Sequence, residues 1–297
     1  MVRVREVGVQ ALRGRLARAL FERVAGEQGQ DARQRIHGSP GPRWFPRDAP
    51  VRRVQADASM YVGGLRALLL QSLHPLPMAA VADHSGFRSD PWGRLASTST
   101  FLAETTFGTV EDAEKAIGRV RRLHAGIGGT TRDGRAYRAD DPHLLEWVHV
   151  AEIDSFLTAH RLFGHHPLSA AEADEYVAQS GHVARLLGAR RVPTTVAGLA
   201  AALAQFRPEL EGTPEARDVA RFLLREPPLA AWARPVYRAL ATAAVGSLPE
   251  WATDLLDIPR PAPVTSRALG RAATGALRWV ADALPLPDVD FPVHPPA

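Results

Sequence analysis

Apolar residues recur at helical spacing along almost all of this chain, and its glycines, prolines and capping residues fall where helices have to start and stop. Asp141-Pro142 is a cap followed by proline at the first helical position, and Gly164 stops the same segment, so residues 142–163 read as one long helix. Thr109 caps a helix over 110–125 with Asp112 in its first turn, and Gly126, Gly128 and Gly129 end it. Ser169 opens another, to about residue 187. Further helices are predicted over 7–24, 57–73 and 91–107, and in the C-terminal third near 196–205, 214–224, 230–244 and 264–283. Residues 128–140 read as turn-rich, with a short hairpin around Asp133-Gly134. Breakers from Gly29 to Pro50 make 26–50 an irregular arm. The expected fold class is therefore all-α: a single multi-helix domain over 56–290 behind a basic N-terminal helix and arm over 1–55. The run Ala67-Leu68-Leu69-Leu70 is apolar all round and is expected at the centre of the core.

Composition narrows the chemistry. The chain has 297 residues and no cysteine, and Lys115 is its one lysine among 36 basic residues. Disulfides, thiolate-held zinc, iron–sulfur clusters and a cysteine nucleophile are excluded. A P-loop is excluded as well, because no GxxxxGK[ST] surrounds Lys115. Residues 1–53 carry twelve arginines against five acids, so the formal charge of +4 is concentrated in the arm. That arm lacks the interleaved aromatics of a single-strand binder and any groove-reading motif, so no specific nucleic acid is expected. Arginines interrupt the apolar residues of the first twenty positions, and no uninterrupted apolar span is long enough to cross a bilayer. The expected location is cytoplasmic, with weak peripheral membrane contact through the basic N-terminus left open.

Eleven histidines are the obvious functional candidates in a chain without thiols. His165-His166, His37 and His294 lie at helix ends or in breaker-rich segments and read as solvated, and there is no HExxH. His124 is different: near the end of the fourth predicted helix, it shares an apolar face with Ile117 and Val120, and Arg121 precedes it by three. Arg94, Ser97, Thr98 and Phe101 fall at i, i+3, i+4 and i+7, which places a guanidinium and two hydroxyls on an otherwise buried stripe. Such groups need a polar network or a ligand opposite them. Leu145, His149, Glu152 and Phe156 share a face of the 142–163 helix, with His149 and Glu152 near enough to pair. From spacing alone, each of these patterns reads equally as a structural cluster.

A series of motifs runs in order through the same region: GGLRALLLQSLHP at 63–75, DHSGF at 83–87, RLASTSTFL at 94–102, TFG at 106–108, VRRLHAGIGG at 120–129, YRADDP at 137–142 and LLEWVHV at 144–150. Together they resemble the rubber oxygenase (latex clearing protein) and MpaB-type oxygenase catalytic-domain family, over about residues 57–190. The resemblance implies a mainly helical fold with a buried cofactor pocket for haem b. It implies His124 as proximal iron ligand, with Arg121 steadying the site, and Arg94 and Thr98 facing the distal pocket. The family position between that arginine and threonine can hold a lysine that closes the sixth coordination site. Here it is Ser97, so an open distal side is expected. His149 with Glu152 would be an outer pair or proton relay, and the apolar helix 65–73 would wall the substrate pocket. Rubber-cleaving members are exported, and this chain shows no export signal, which turns the expectation from polyisoprene to a smaller apolar, isoprenoid or alkene substrate with dioxygen. A haem-binding sensor or carrier without turnover, and a cofactor-free helical interaction protein, are the alternative readings. Oligomeric state is not legible.

Overall fold

The computed structural model describes residues 2–26, 28–84, 88–284 and 291–296. The last three residues of the DHSGF motif and the Pro-rich stretch 285–290 lie outside them. The described chain is helical apart from one hairpin. It begins with α1 (Val2–Ala25), α2 (Gly29–Gly38), α3 (Pro50–Ala56), α4 (Met60–Gln71) and α5 (Pro75–His84). Then come α6 (Pro91–Phe107), α7 (Val110–Ala125), the hairpin strands β1 (Gly128–Thr130) and β2 (Ala136–Arg138), α8 (Pro142–Phe163) and α9 (Ala170–Leu187). The C-terminal part holds α10 (Val196–Phe206), α11 (Pro214–Arg225), α12 (Arg234–Ser247), α13 (Glu250–Leu256) and α14 (Pro263–Ala281). Short 3-10 turns follow α10 (Arg207–Glu209) and precede α12 (Ala231–Ala233). No described helix is long and apolar enough to cross a membrane.

Helix starts follow local capping chemistry. Asp90, Thr109, Asp141, Ser169, Thr195 and Thr213 each accept a first-turn amide with the side chain, and Ser169 with Glu172 completes a capping box. Four helices were not anticipated: α2, α3, α5 and α13. Within the arm, 29–38 is helical because Asp31 sits in the first turn and Arg35 in the last, complementing the helix dipole, while Ala32 and Ile36 are buried. Pro75 sits at the start of α5, so the residue expected to close one helix opens the next. His37, expected in solvent, packs against Phe107 at 5.4 Å between ring centroids. Burial, then Arg33, Arg52 and Arg43, push it down to about 4.

At the centre, α8 packs along α4. Leu69 and Leu70 of α4 and Trp147, Val150 and Ala151 of α8 are fully buried, whereas Leu68 keeps 39% of its surface, so α4 is not apolar-packed all round. Close approach requires Gly63: a Cβ there would lie 2.6 Å from the Phe156 ring and 3.1 Å from its Cα. Arg66, almost wholly buried, reaches Asp154 at 2.8 Å, the Ser155 hydroxyl at 2.7 Å and the Ser247 carbonyl at 3.1 Å, joining α4, α8 and α12. The arm is part of this body. Trp44 and Phe45 belong to the main core, and Arg43 bridges to Val293 with backbone bonds to Pro292 and His294.

Two consequences are measurable. Gly63→Ala should lower stability by about 1–3 kcal/mol through overpacking. Gly64→Ala, whose Cβ would meet nothing within 4 Å, should raise it by roughly 0.5–1 kcal/mol. Urea unfolding of the two variants separates these outcomes. Asp57 accepts from Arg278 at 2.9 Å and from the Ser59 amide at 2.7 Å. Burial alone would raise its pKa, but these bonds outweigh burial and hold it at about 2. Its contribution is present above the ordinary carboxylate range and is lost as pH falls through about 2. Asp57→Asn should therefore cost about 2 kcal/mol at neutral pH and flatten stability between roughly pH 4 and 2, as read by denaturant melts across that range.

Candidate functional site

An apolar cavity of about 110 Å³, open to solvent at its mouth, lies among α3, α6, α7, α8 and α9. Phe45 and Val51 close one side, Phe101 and Leu102 of α6 another, and Val183 and Leu187 of α9 a third. α8 supplies Leu145, Val148, His149, Glu152 and Ile153, and α7 supplies His124 from its last turn. The expectation that helix 65–73 would wall the pocket does not hold: Leu69, Leu70 and Leu73 are in the core instead.

Three polar atoms of this wall lack partners. His149 Nε2, Gln55 Oε1 and Ser180 Oγ are buried without a hydrogen bond among the described residues. An orphaned buried polar atom costs of order 1–3 kcal/mol, so three at one cavity point to a group that would satisfy them. Burial, and secondarily Arg185, push His149 down to about 4, so its ring is neutral at physiological pH. Burial raises the Glu152 carboxyl to about 7. No hydrogen bond joins His149 to Glu152 among the described residues, so the two share a cavity wall without pairing. Behind them the phenol of Tyr176 is pushed up by burial and then by Glu152.

His124 is half-buried, and burial lowers its pKa against the opposing pull of Asp140. It therefore presents a neutral imidazole. α6 and α7 form an antiparallel pair joined at Gly108-Thr109, and Arg94 and His124 each lie about four turns from that corner. Arg94 is half-buried, its Nη1 has no partner among the described residues, and burial lowers its pKa. Ser97 and Thr98 are exposed, which corrects the expected buried stripe: α6 buries its C-terminal part, at Glu104, Thr105 and Thr106, while this earlier turn faces outward. Arg121 is exposed too. The structure thus brings His124, His149 and Glu152 to one cavity and leaves Arg94, Ser97, Thr98 and Arg121 off its lining.

Sequence reading missed Gln55, Tyr176 and Ser180, which belong to helices whose apolar spacing gave no hint of a polar lining. It also missed a second polar cluster. His74, His143 and Glu209 each offer a ligand atom, and these atoms lie within 4.8 Å of one another. His74 stands inside the motif at 63–75 and His143 in the one-residue gap between those at 137–142 and 144–150, and that was the available signal.

The donor set at the cavity fits haem: a neutral half-buried imidazole, an apolar wall and orphaned buried polar atoms. Two curated relatives, the uncharacterized protein Mb2261 of Mycobacterium bovis and the uncharacterized protein Rv2237 of Mycobacterium tuberculosis, are each 33% identical over 93 residues. That stretch is 31% of this chain and spans 36% of each relative. No solved structure matches significantly. Residues 51–279 match the family described as ER-bound oxygenase mpaB/B'/Rubber oxygenase, catalytic domain. The chain belongs to that family of oxygenase catalytic domains.

Proposed function

We propose that this chain is a haem b-dependent oxygenase that acts with dioxygen on a small apolar substrate of the isoprenoid or alkene class, with His124 as the proximal iron ligand. The observation that carries the reading is the neutral, half-buried His124 on an apolar cavity whose wall holds three orphaned polar atoms. When bound, haem would supply redox chemistry with dioxygen that no side chain of this thiol-free chain can provide.

The chain's own residues divide the remaining work. His124 offers a nitrogen lone pair without first losing a proton. Arg94, in the first turn of α6, would offer a guanidinium with one nitrogen unpaired, a cation suited to developing negative charge. Thr98, one turn further on, offers a hydroxyl to the same side. Ser97 would offer a hydroxyl and no strong nitrogen ligand. Arg121 is an exposed cation for the carboxylates at the porphyrin edge. The phenyl and aliphatic wall excludes water and takes an apolar substrate in preference to a charged one. Glu152, held up to about 7, can keep or release a proton at neutral pH beside the neutral His149.

Titrating the haem-free chain with haemin should give a Soret band at one haem per chain. His124→Ala should abolish or shift it, and His166→Ala, at an exposed position, should leave it intact. A chain that stays colourless through the titration overturns the proposal. Glu152 gives a second readout, in the haem-free protein. Its raised pKa means that its contribution is fully present below about 4.5 and is lost as pH rises through about 7. Glu152→Gln should remove that loss, worth about 1–3 kcal/mol, so that thermal melts from pH 4.5 to 8 show a flatter curve than the parent chain.

A further inference from the structure

The structure assigns a second, separate site to this chain: His74, His143 and Glu209 bind one divalent late first-row transition-metal ion, zinc or its chemical neighbours. The three come from segments far apart in sequence. His74 stands at the corner between α4 and α5, His143 in the first turn of α8, and Glu209 in the 3-10 turn after α10. None of them lines the haem-candidate cavity, so the assignment does not rest on the haem reading.

The distances are those of a site ready to close on an ion. His143 Nε2 lies 2.8 Å and 3.0 Å from the two Glu209 oxygens, and His74 Nε2 lies 3.4 Å from Glu209 Oε2. Ligands about 2.1 Å from a tetrahedral ion stand roughly 3.4 Å apart, so shifts of under about 1 Å complete the set. The telling atom is His74 Nε2. Its residue is 3% exposed, the nitrogen faces the other two groups, and it has no hydrogen-bond partner among the described residues.

The surroundings match those of a metal-binding histidine. Ligation through Nε2 needs the proton on Nδ1 and an acceptor for it. His143 Nδ1 lies 3.9 Å from Oε2 of the buried Glu146, a carboxylate held in place by the backbone amides of Arg190 and Arg191. At 3.9 Å the two are not hydrogen-bonded here, and an approach of about 1 Å would complete a carboxylate–histidine–metal arrangement. The competing neighbour of Nδ1, Arg191 Nη2 at 3.2 Å, belongs to an exposed side chain that also pairs with Glu146 Oε2 at 3.2 Å, and metal binding would displace it from His143. Around His74, the Leu76 amide at 3.4 Å is at the outer limit of a hydrogen bond to Nδ1 and is easily given up. Phe206 stacks on His143 at 4.8 Å between centroids and shields one side, while half-exposed Glu209 leaves a way in. Two imidazoles and a carboxylate select zinc, cobalt, nickel or iron(II) over calcium or magnesium, which prefer oxygen-only shells. Three protein ligands leave a fourth position for water.

The test uses the full haem-free chain, prepared without a histidine tag and stripped with chelator. After dialysis against zinc, elemental analysis should find one zinc per chain, and cobalt should give visible ligand-field bands. His143→Ala and Glu209→Gln should each weaken zinc binding by at least about 100-fold. The double variant His165→Ala/His166→Ala removes an exposed histidine pair and should bind zinc as the parent does. Zinc should raise the melting temperature of the parent and of that double variant, but not of Glu209→Gln. No retained zinc, retention unaffected by Glu209→Gln, or loss in the His165/His166 variant would each overturn the assignment. Circular dichroism confirms that the variants are folded, and the haemin titration stands apart from every one of these readouts.

Discussion

The ion pair between Arg66 and Asp154 sets the frame on which everything else hangs. A guanidinium at 3% exposure is tolerable only when it is partnered, and here the Ser155 hydroxyl and the Ser247 carbonyl accept from it while Asp154 balances its charge at 2.8 Å, from two other helices. Removing one partner of such a buried pair costs about 3–5 kcal/mol, a large part of the 5–15 kcal/mol that holds an ordinary domain together. The pair therefore fixes the register of α8 against α4 and α12, with Phe156 seated over Gly63 immediately beside it. Because α8 is fixed, its successive turns point in settled directions. His143 is directed to Glu209, Glu146 to the amides of Arg190 and Arg191, and His149 and Glu152 to the cavity. Both candidate sites are thus consequences of one helix being clamped in one rotation.

Arginine is the interior cross-linker of this protein. Arg43 donates to the carbonyls of Gly41 and Ser39 and lies over Phe291, and Arg52 stacks over Phe107 and Phe291. Burial first, then Arg43 and Arg47, lowers Arg52 to about 10, still far above physiological pH. A planar, permanently charged group can serve carbonyls at its edge and a ring at its face at the same time, which an ammonium cannot. The basic N-terminal charge is accordingly spent partly inside: it holds the irregular residues 39–49 to the core and to the chain near Phe291, and only the remainder is solvated.

What could be read in the sequence was what short-range chemistry determines. The boundaries of α6, α7, α8 and α9 follow from Asp90-Pro91, Thr109, Asp141-Pro142 and Ser169 at their starts and from glycine at their ends, because a cap is satisfied by amides two or three residues away. The helices α2, α3, α5 and α13 are ten residues or fewer and are stable only through what they pack against, so no local pattern announces them. The site divides along the same line. His124 was legible because it breaks an apolar face at a helix end, and His149 because it lies on a periodic stripe. Ser97 and Thr98 follow the same arithmetic yet face solvent, because which part of α6 is covered depends on α2, α3 and α7, and spacing within α6 carries no trace of them. Glu209 is the extreme case, a solitary acid in a 3-10 turn, given meaning only by two histidines that approach it from 66 and 135 positions away.

The two sites also constrain each other through α8. His143 and His149 are six residues apart, roughly 9 Å along the axis, and that axis is rigid because its side chains are buried nearly throughout. An ion held by His143 would immobilise the first turn of α8, while the orphaned Nε2 of His149 requires a partner about two turns further on. Immobilising one end of a helix stiffens the wall of the cavity formed by its next turns, since close-packed interiors transmit displacement instead of absorbing it. In an oxygenase-type domain this arrangement has a physical use. The cavity is lined largely by apolar side chains, yet it contains buried polar atoms without partners among the described residues. The Val51 amide, donating to Gln179 at 3.1 Å, ties two sides of that wall together, and α8 is held from outside the cavity by Arg66 and, with an ion bound, by the His74–His143–Glu209 cluster.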